Sequence, residues 1–600
     1  MALRIGPILA RELLTNPRKP RHFILRSTYV AIFFILMWTA WQAVAGFSQV
    51  ERAGDYAHFH TVLFTMLVRL EVVLVLFFSS LYGTSSLSHE KDRRTLVLLM
   101  MTRLKDGEII VEKFLTGMLQ VGTLVLTALP AYALLLLLGG VSVAQLLEAY
   151  AVTLGAALLA NAIGVLIAAW REKTFQSVAL TLLSIVFFQL AVEVAARLAG
   201  PRFEYALTSL SPFRALGAVL DLDRRFEYGA FPPAVTFLIF ASAAAAGMLA
   251  FASYKLRDWY PTGEPIMERE TPPAGAAVPA PVTETPYREV TGNPVYWRET
   301  ETRAYGTRAI LIKAGYALVA ATALAIGWGA TFGRPAAPAR AVDENGVEIV
   351  EARARPTRQS DAPLTAVVVS LAVLSLLLVN AQAVTAITSE RDLKALDLLL
   401  ATRVTPPQFI FGKLLGILFN VKEIVAVPAL VLIAAGATGQ IGATAMFYSL
   451  GTFATFTAFA ALLGVHAALR YESARLAIAH SLGTMFLLFV GILICMFLIL
   501  VSGNERFGAQ WLSFLLFIVL GSIGLWLSLS ANAPSNAIAL TASLLPFATF
   551  YCVVAFLVGD QAGPFLVGTS IYGFALAALL VPLLAEFDVA TGRTSHAEGS

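Results

Sequence analysis

Residues 389–403, "SERDLKALDLLLATR", form a charged, helix-patterned stretch inside a chain of 600 residues that is 58% hydrophobic and only 14% charged. Residues 88–103, "SHEKDRRTLVLLMMTR", resemble it. Glu90 and Glu390 differ by 300 in number (390 − 90 = 300). Without a gap, the same separation pairs Asp92 with Asp392, Leu96 with Leu396, Leu98 with Leu398, Leu99 with Leu399, Thr102 with Thr402, Arg103 with Arg403 and Lys113 with Lys413. Self-similarity at a fixed separation marks an internal duplication. The rest of the chain is read around that repeat.

The composition is too apolar for a soluble chain of this length. Apolar runs long enough to cross about 30 Å of hydrocarbon as helices recur throughout. They fall at 27–46, 61–84, 113–138, 147–170, 175–198 and 234–254, then at 309–331, 363–387, 414–436, 443–468, 475–501 and 564–585. Two further runs, 511–529 and 537–558, either span or form a re-entrant hairpin. The expected fold class is an all-α polytopic membrane protein with about twelve transmembrane helices, or fourteen if both extra runs cross. The expected arrangement is two parallel six-helix repeats, because the duplicated loop follows the second span of each set and must face one compartment if it does one job. Residues 1–257 make the first half and residues 293–600 the second, with an inserted apolar segment near 511–529. Between them, 258–292 is rich in Pro, Glu, Thr and Ala and reads as a disordered linker.

The basic, amphipathic opening "MALRIGPILARELLTNPRKPRHFILR" carries no small-residue cleavage site, so the N-terminus is expected to stay in the cytoplasm. Alternate crossings then place Lys19, Lys91, Lys105, Lys113, Lys173, Lys255, Lys313, Lys394 and Lys413 on the cytoplasmic side or at its border. That distribution obeys the positive-inside rule.

As a helix, "ERDLKALDLLL" puts Leu393, Leu396 and Leu400 on one side, with Glu390, Arg391, Lys394 and Asp397 largely on the other. Ser389 and Asp392 have the spacing of an N-terminal capping box, and "TPP" at 405–407 is expected to end the helix. Such a helix could lie on lipid. Matched acids suit a protein groove better than an anionic lipid surface, which favours docking of a partner.

Looser matches flank the loops. "GPILARE" at 6–12 resembles "NPVYWRE" at 293–299, pairing Arg11 and Glu12 with Arg298 and Glu299. "REKTFQSV" from Arg171 resembles "RYESARLA" from Arg470, and "LTSLSPF" at 207–213 resembles "LTASLLPF" at 540–547. Taken together, the Pro-x-x-x-Arg-Glu segment, the Glu-charged-Leu-rich-Thr loop with its following lysine, and the late Ser-Pro-Phe segment resemble the type-2 ABC exporter permeases. The likeness covers nearly the whole chain, twice. It implies that 88–104 and 388–404 are coupling helices seated on two copies of a P-loop ATPase subunit, with the helices at about 5–21 and 292–308 packed beside them. It also implies Glu90 and Glu390 at the ATPase contact, a bacterial cytoplasmic (inner) membrane, export as the direction, and ATP and Mg bound in the partner. The substrate is left unknown. This sequence departs from the pattern where Glu112 stands opposite Gly412 and Val97 opposite Asp397, so the two contacts are expected to be unequal.

Several chemistries find no support in the sequence. No G-x-x-x-x-G-K-[ST] occurs, so ATP hydrolysis and its cofactors belong to a separate chain and no enzyme activity is expected here. His58, His60, His466 and His480 lack metal-ligand spacing, and no metal site is expected. Cys495 and Cys552 lie in apolar runs, and a net charge of +4 is spread over span-flanking loops instead of forming a nucleic-acid stripe. Arg69 and Glu71, Gln189 and Glu193, Asn380 and Gln382, and Lys422 and Glu423 lie within spans, where polar groups face a pathway or one another. Glu71 and Glu193 are the carboxylates an ion-coupled secondary transporter or channel would use. A membrane scaffold that only recruits partners would use the duplicated loop equally well.

Overall fold

The computed structural model describes residues 6–15, 53–92, 95–171, 174–199, 201–221, 231–259, 292–301, 310–332, 340–342, 348–350, 362–392, 395–438, 441–471, 474–491, 511–530, 535–558 and 562–585, with single positions between 27 and 37 and at 290 and 587. The expected first span at 27–46 and the linker at 258–292 lie almost wholly outside them. In chain order the helices of the first half are α1 (Pro7–Thr15), α2 (Ala53–Asp92), α3 (Thr95–Met100), α4 (Asp106–Leu138), α5 (Val143–Trp170), α6 (Thr174–Leu198), α7 (Glu204–Thr208), α8 (Pro212–Leu220) and α9 (Pro233–Trp259). There follow α10 (Pro294–Glu301), α11 (Ile310–Phe332), α12 (Ala362–Asp392), α13 (Ala395–Leu400), α14 (Pro406–Ala437), α15 (Ala443–Arg470) and α16 (Ala474–Met485), which runs on as a π-helical turn, Phe486–Gly491. The last are α17 (Trp511–Ser530), α18 (Asn536–Val558) and α19 (Ala562–Ala585).

Among the described residues, 10 helices are long and apolar enough to cross a membrane, which makes this a multi-pass helical membrane protein. Helix boundaries recur at the separation of 300: α3 with α13, α4 with α14, α5 with α15, and the ends of α2 and α12 at Asp92 and Asp392. The structure also corrects a register. Arg171 is the residue that follows α5 and Tyr471 the one that follows α15, so Arg171 pairs with Tyr471 and not with Arg470.

Glycines set the central crossings. A Cβ on Gly164 of α5 would stand 2.8 Å from the Thr84 nitrogen and 3.0 Å from the Ser80 carbonyl of α2. A Cβ on Gly464 of α15 would stand 2.5 Å from Ala383 Cβ and 2.9 Å from the Asn380 carbonyl of α12. Between apolar helices in lipid, such close backbone approach supplies the packing attraction that water cannot. Asn380 reinforces the second crossing: its Nδ2 donates to the Ala460 carbonyl at 2.9 Å and its Oδ1 accepts from Ser481 Oγ at 2.9 Å.

The halves meet through reciprocal contacts. Helix α2 touches α16 while α12 touches α6, and α6 also packs along α11. One hydrophobic core crosses this seam, and within it the rings of Phe77 and Phe486 stack with centroids 4.2 Å apart.

The second half has three features of its own. Between α11 and α12 the described residues include a short antiparallel ribbon, Arg340–Val342 paired with Glu348–Val350, beside an otherwise helical fold. The segments at 511–529 and 537–558 are two helices lying side by side, with Ser522 Oγ donating to the Ser543 carbonyl at 3.1 Å. Of the two, α18 is among the 10 helices long and apolar enough to cross, whereas the described apolar stretch of α17 is the shorter Ile518–Leu527. The motif match at 207–213 and 540–547 does not extend to local structure. Pro212 opens the nine-residue helix α8, whereas Pro546 lies inside the continuous helix α18.

Gly164→Leu and Gly464→Leu are each expected to cost about 1–3 kcal/mol or more through overpacking. The check is a fall in Tm in detergent, with Gly573→Leu, which has open space around its Cα, keeping the wild-type value.

Candidate functional site

The described residues of the duplicated stretch fall in two elements, α12 up to Asp392 and α13 from Ala395. Ser389 Oγ donates to the Thr385 carbonyl at 2.7 Å, one turn back, so Ser389 and Glu390 belong to the end of α12 and the expected capping box with Asp392 is absent. The chain restarts as α13 at Ala395. "TPP" is a start and not a stop: Thr405 Oγ1 accepts from Gln408 N at 3.4 Å, Gln408 Oε1 accepts from Thr405 N at 3.1 Å, and the prolines occupy the first turn of α14. A proline without an N–H ends what precedes it and suits what begins at it, and sequence alone did not decide between the two. In the first loop Glu108 Oε2 accepts from Lys105 N at 2.9 Å in the same way. Thr102 and Thr402 each donate Oγ1 to the carbonyl of Leu99 or Leu399 at 2.6 Å, closing the ends of α3 and α13.

Behind the loops, a buried lysine holds each glutamate. Lys113 Nζ lies 2.7 Å from Glu90 Oε1, and Thr95 Oγ1 donates to the same carboxylate. Lys413 Nζ lies 2.8 Å from Glu390 and 2.6 Å from Glu299, with side-chain exposures of 1% for Lys413 and 2% for Glu299. Arg298 bonds Glu390 and also stands 3.1 Å from Glu299. Burial works against a charged Glu299, but the Lys413 ammonium and the Arg298 guanidinium outweigh it and hold the carboxyl below its ordinary value of 4.5. The fold thus joins Glu299 of α10, Glu390 of α12 and Lys413 of α14. Arg11 is exposed on α1, while the side chains of Glu12 and Asp92 lie outside the described residues and that of Asp392 is half-buried.

One pair of anchors was not foreseen. Lys91 Nζ donates to the carbonyls of Ala168, Ala169 and Arg171, the last two at 2.7 and 3.2 Å, and Arg391 donates to Ala468 and Tyr471 at 2.9 and 2.7 Å. Each cation therefore satisfies the open carbonyls at the C-terminus of α5 or α15. The signal in the sequence was a basic residue of either type at paired positions beside a paired glutamate.

The departure at Glu112 and Gly412 has a steric cause. Glu112 Oε2 accepts the free N–H of Leu9 in the first turn of α1 at 3.2 Å, and a Cβ on Gly6 would fall 1.6 Å from Glu112 Oε1. In the second half Asn293 does the capping, accepting from Val295 N at 2.9 Å and Tyr296 N at 3.3 Å, and a Cβ on Gly412 would stand 2.7 Å from Asn293 Oδ1. The large capping group and the glycine have exchanged sides of the same contact.

The outward surface of the loops differs from the residues expected there. Leu96 and Leu396 are buried, and Leu99 and Leu399 are half-buried. Exposed are Leu98 (63%), Met101 (74%) and Leu398 (75%), with Thr102, Arg103, Thr402 and Arg403 around them. Within the spans, Glu71 is buried and Tyr132 donates to its Oε2 at 2.6 Å, whereas Arg69 is exposed and stands apart. Glu193 pairs with Arg214 at 3.0 Å and Arg197 at 3.4 Å, and Ser211 Oγ donates to Gln189 at 2.9 Å. Gln382 is buried beside the Asn380 crossing. Among the described residues no group of His, Cys, Asp and Glu has the geometry to hold a metal ion.

Lys413→Met leaves Glu299 and Glu390 without their common cation and is expected to cost about 3–5 kcal/mol, read as a fall in Tm in detergent. Because the folded Glu299 carboxyl is depressed, its contribution is full at neutral pH and is lost as pH falls through the depressed value, below 4.5. Hydrogen exchange of α10 should therefore accelerate on acidification in that range, and in Glu299→Gln that step should be missing. Glu112→Gly is expected to loosen α1 by about 1 kcal/mol. Adding Gly6→Asn should restore it, as read by proteolysis near residue 15.

No family model, no curated protein and no solved structure matches the chain at a significant level.

Proposed function

We propose that the chain is the permease of an ATP-driven ABC transporter of the type-2 exporter kind, with both halves in one polypeptide. Two copies of a separate P-loop ATPase, holding ATP and Mg, dock at the tips of α3 and α13. Support comes from one arrangement made twice: an exposed apolar tip, Leu98 with Met101 or Leu398, ringed by Thr and Arg. In each case the tip is backed by a buried lysine tied to the end of a span. A flexible loop would absorb a push. A short helix fixed at its base transmits one.

In this reading the halves are parallel six-helix repeats, α17 and α18 are an addition to the second, and the loops and N-terminus face the cytoplasm of a bacterial inner membrane. Glu90 and Glu390 are positioning groups behind the contact, and Leu98 and Leu398 touch the ATPase. The ion-coupled alternative has one observation in its favour, the buried Glu71 with an Oε1 lacking a protein partner. Its counterpart in number is Leu371, so the second half offers nothing equivalent.

The test is affinity purification from the native host in mild detergent with ATP hydrolysis assayed on the eluate. A P-loop ATPase should co-elute with the wild type. Leu98→Asp with Leu398→Asp should weaken its retention by about 2 kcal/mol per contact, roughly thirty-fold, while the chain itself stays monodisperse. Absence of any ATPase with the wild type, or full retention by the double variant, overturns the assignment.

A further inference from the structure

A charged and aromatic patch on the lateral face of the second half lies away from both loops. Helix α10 climbs along α14: Val295 meets Gly412, Glu299 meets Gly416, and the Tyr296 ring stands edge-on to Phe419 with centroids 6.4 Å apart. Nearly three turns along α14 from the Lys413 ion pairs, α11 packs beside α14, and Lys313 Nζ pairs with Glu423 Oε2 at 2.8 Å. Lys313 is the fourth residue of α11, so the pair lies at the end of that helix nearer the Lys413 ion pairs, a level that a bilayer crossed by α11 would place near its headgroups. Lysine stems of this length carry their charge outward to the headgroups from such a depth.

The charges do not balance there. Lys313 and Lys422 are both within electrostatic reach of the single Glu423 carboxylate. Lys422 is exposed, makes no ion pair among the described residues, and holds its ammonium 3.9 Å from the centroid of the Phe419 ring. Phe419 is itself 39% exposed, and Lys313 keeps a third of its side chain open. An ammonium has three donors, so neither cation is saturated by one carboxylate oxygen or a ring face. The first half has no such patch, since Leu119, Gly122 and Thr123 stand at the positions of Phe419, Lys422 and Glu423.

An unneutralised cation beside hydrocarbon is costly, and the one abundant anion at that depth is a lipid phosphate. We propose that Lys422 and Lys313, flanked by the Phe419 and Tyr296 rings, bind the phosphate of an anionic phospholipid in the leaflet facing the loops. The ammonium groups donate to the phosphodiester oxygens, Glu423 keeps Lys313 extended toward them, and the acyl chains run along the exposed face of α14 past Leu430 and Ile433. The site is independent of what docks on α3 and α13.

The experiment is native mass spectrometry of the delipidated full chain, titrated with phosphatidylglycerol, with phosphatidylcholine and with inorganic phosphate. The wild type is expected to retain phosphatidylglycerol over phosphatidylcholine. Lys422→Ala and Lys313→Ala should each weaken that retention about five-fold, Lys422→Arg should keep it, and Lys105→Ala, at the mouth of the first loop, should leave it unchanged. Because Lys422 is exposed, its substitution tests binding and not folding. Equal retention of the two lipids overturns the proposal, as does retention unchanged in Lys422→Ala. Displacement of the lipid by inorganic phosphate at equal concentration identifies a free-phosphate site and overturns the lipid assignment.

Discussion

A lysine with 1% of its side chain exposed, Lys413, lies between the carboxylates of Glu299 and Glu390. Removed from water, that ammonium is tolerable only while both acids stay in place. The acids come from different helices, so α10, α12 and α14 are held in one mutual position. The loop helix α13 hangs between two of them. Its placement follows from the ion pairs beneath it more than from its own six residues, which are too few to be stable as an isolated helix.

The first half solves the same problem with different parts. Lys113 and Glu90 repeat the ion pair, Lys91 takes the place of Arg391 on the carbonyls of the neighbouring span, and Glu112 caps α1 where Asn293 caps α10. Each exchange preserves a contact while altering its chemistry. One cap is a carboxylate and the other an amide, so the two bases are alike in geometry and unlike in chemistry.

Much of this was legible in the sequence, because a fixed separation of 300 and long apolar runs survive reading one residue at a time. Glu90, Glu390, Arg298 and Glu299 were found by repetition. Their direction was not, since pairing with Lys113 and Lys413 depends on how three helices converge; of the residues expected at the contact, Leu96 and Leu396 are buried while Thr102, Arg103, Thr402 and Arg403 are exposed. The capping box at Ser389 failed for a related reason: a local pattern that starts a helix in isolation is overridden when the helix from the membrane simply continues. The outward Leu98 and Leu398 look no different in sequence from the inward Leu96 and Leu396.

The π-helical turn at Phe486–Gly491 sits where the two halves touch, with Phe486 against Phe77. At the equivalent positions of the duplicated seam stand Val186 and Leu377. A π turn carries an extra residue per hydrogen-bonded ring, so the side chains of Phe486–Gly491 are rotated relative to those at the corresponding positions of α6. The seam therefore has a pair of rings at one position and two aliphatic residues at its counterpart, where a strict dimer would have two of the same. Twofold equivalence of the two halves is thus lost at their seam through one turn of helix.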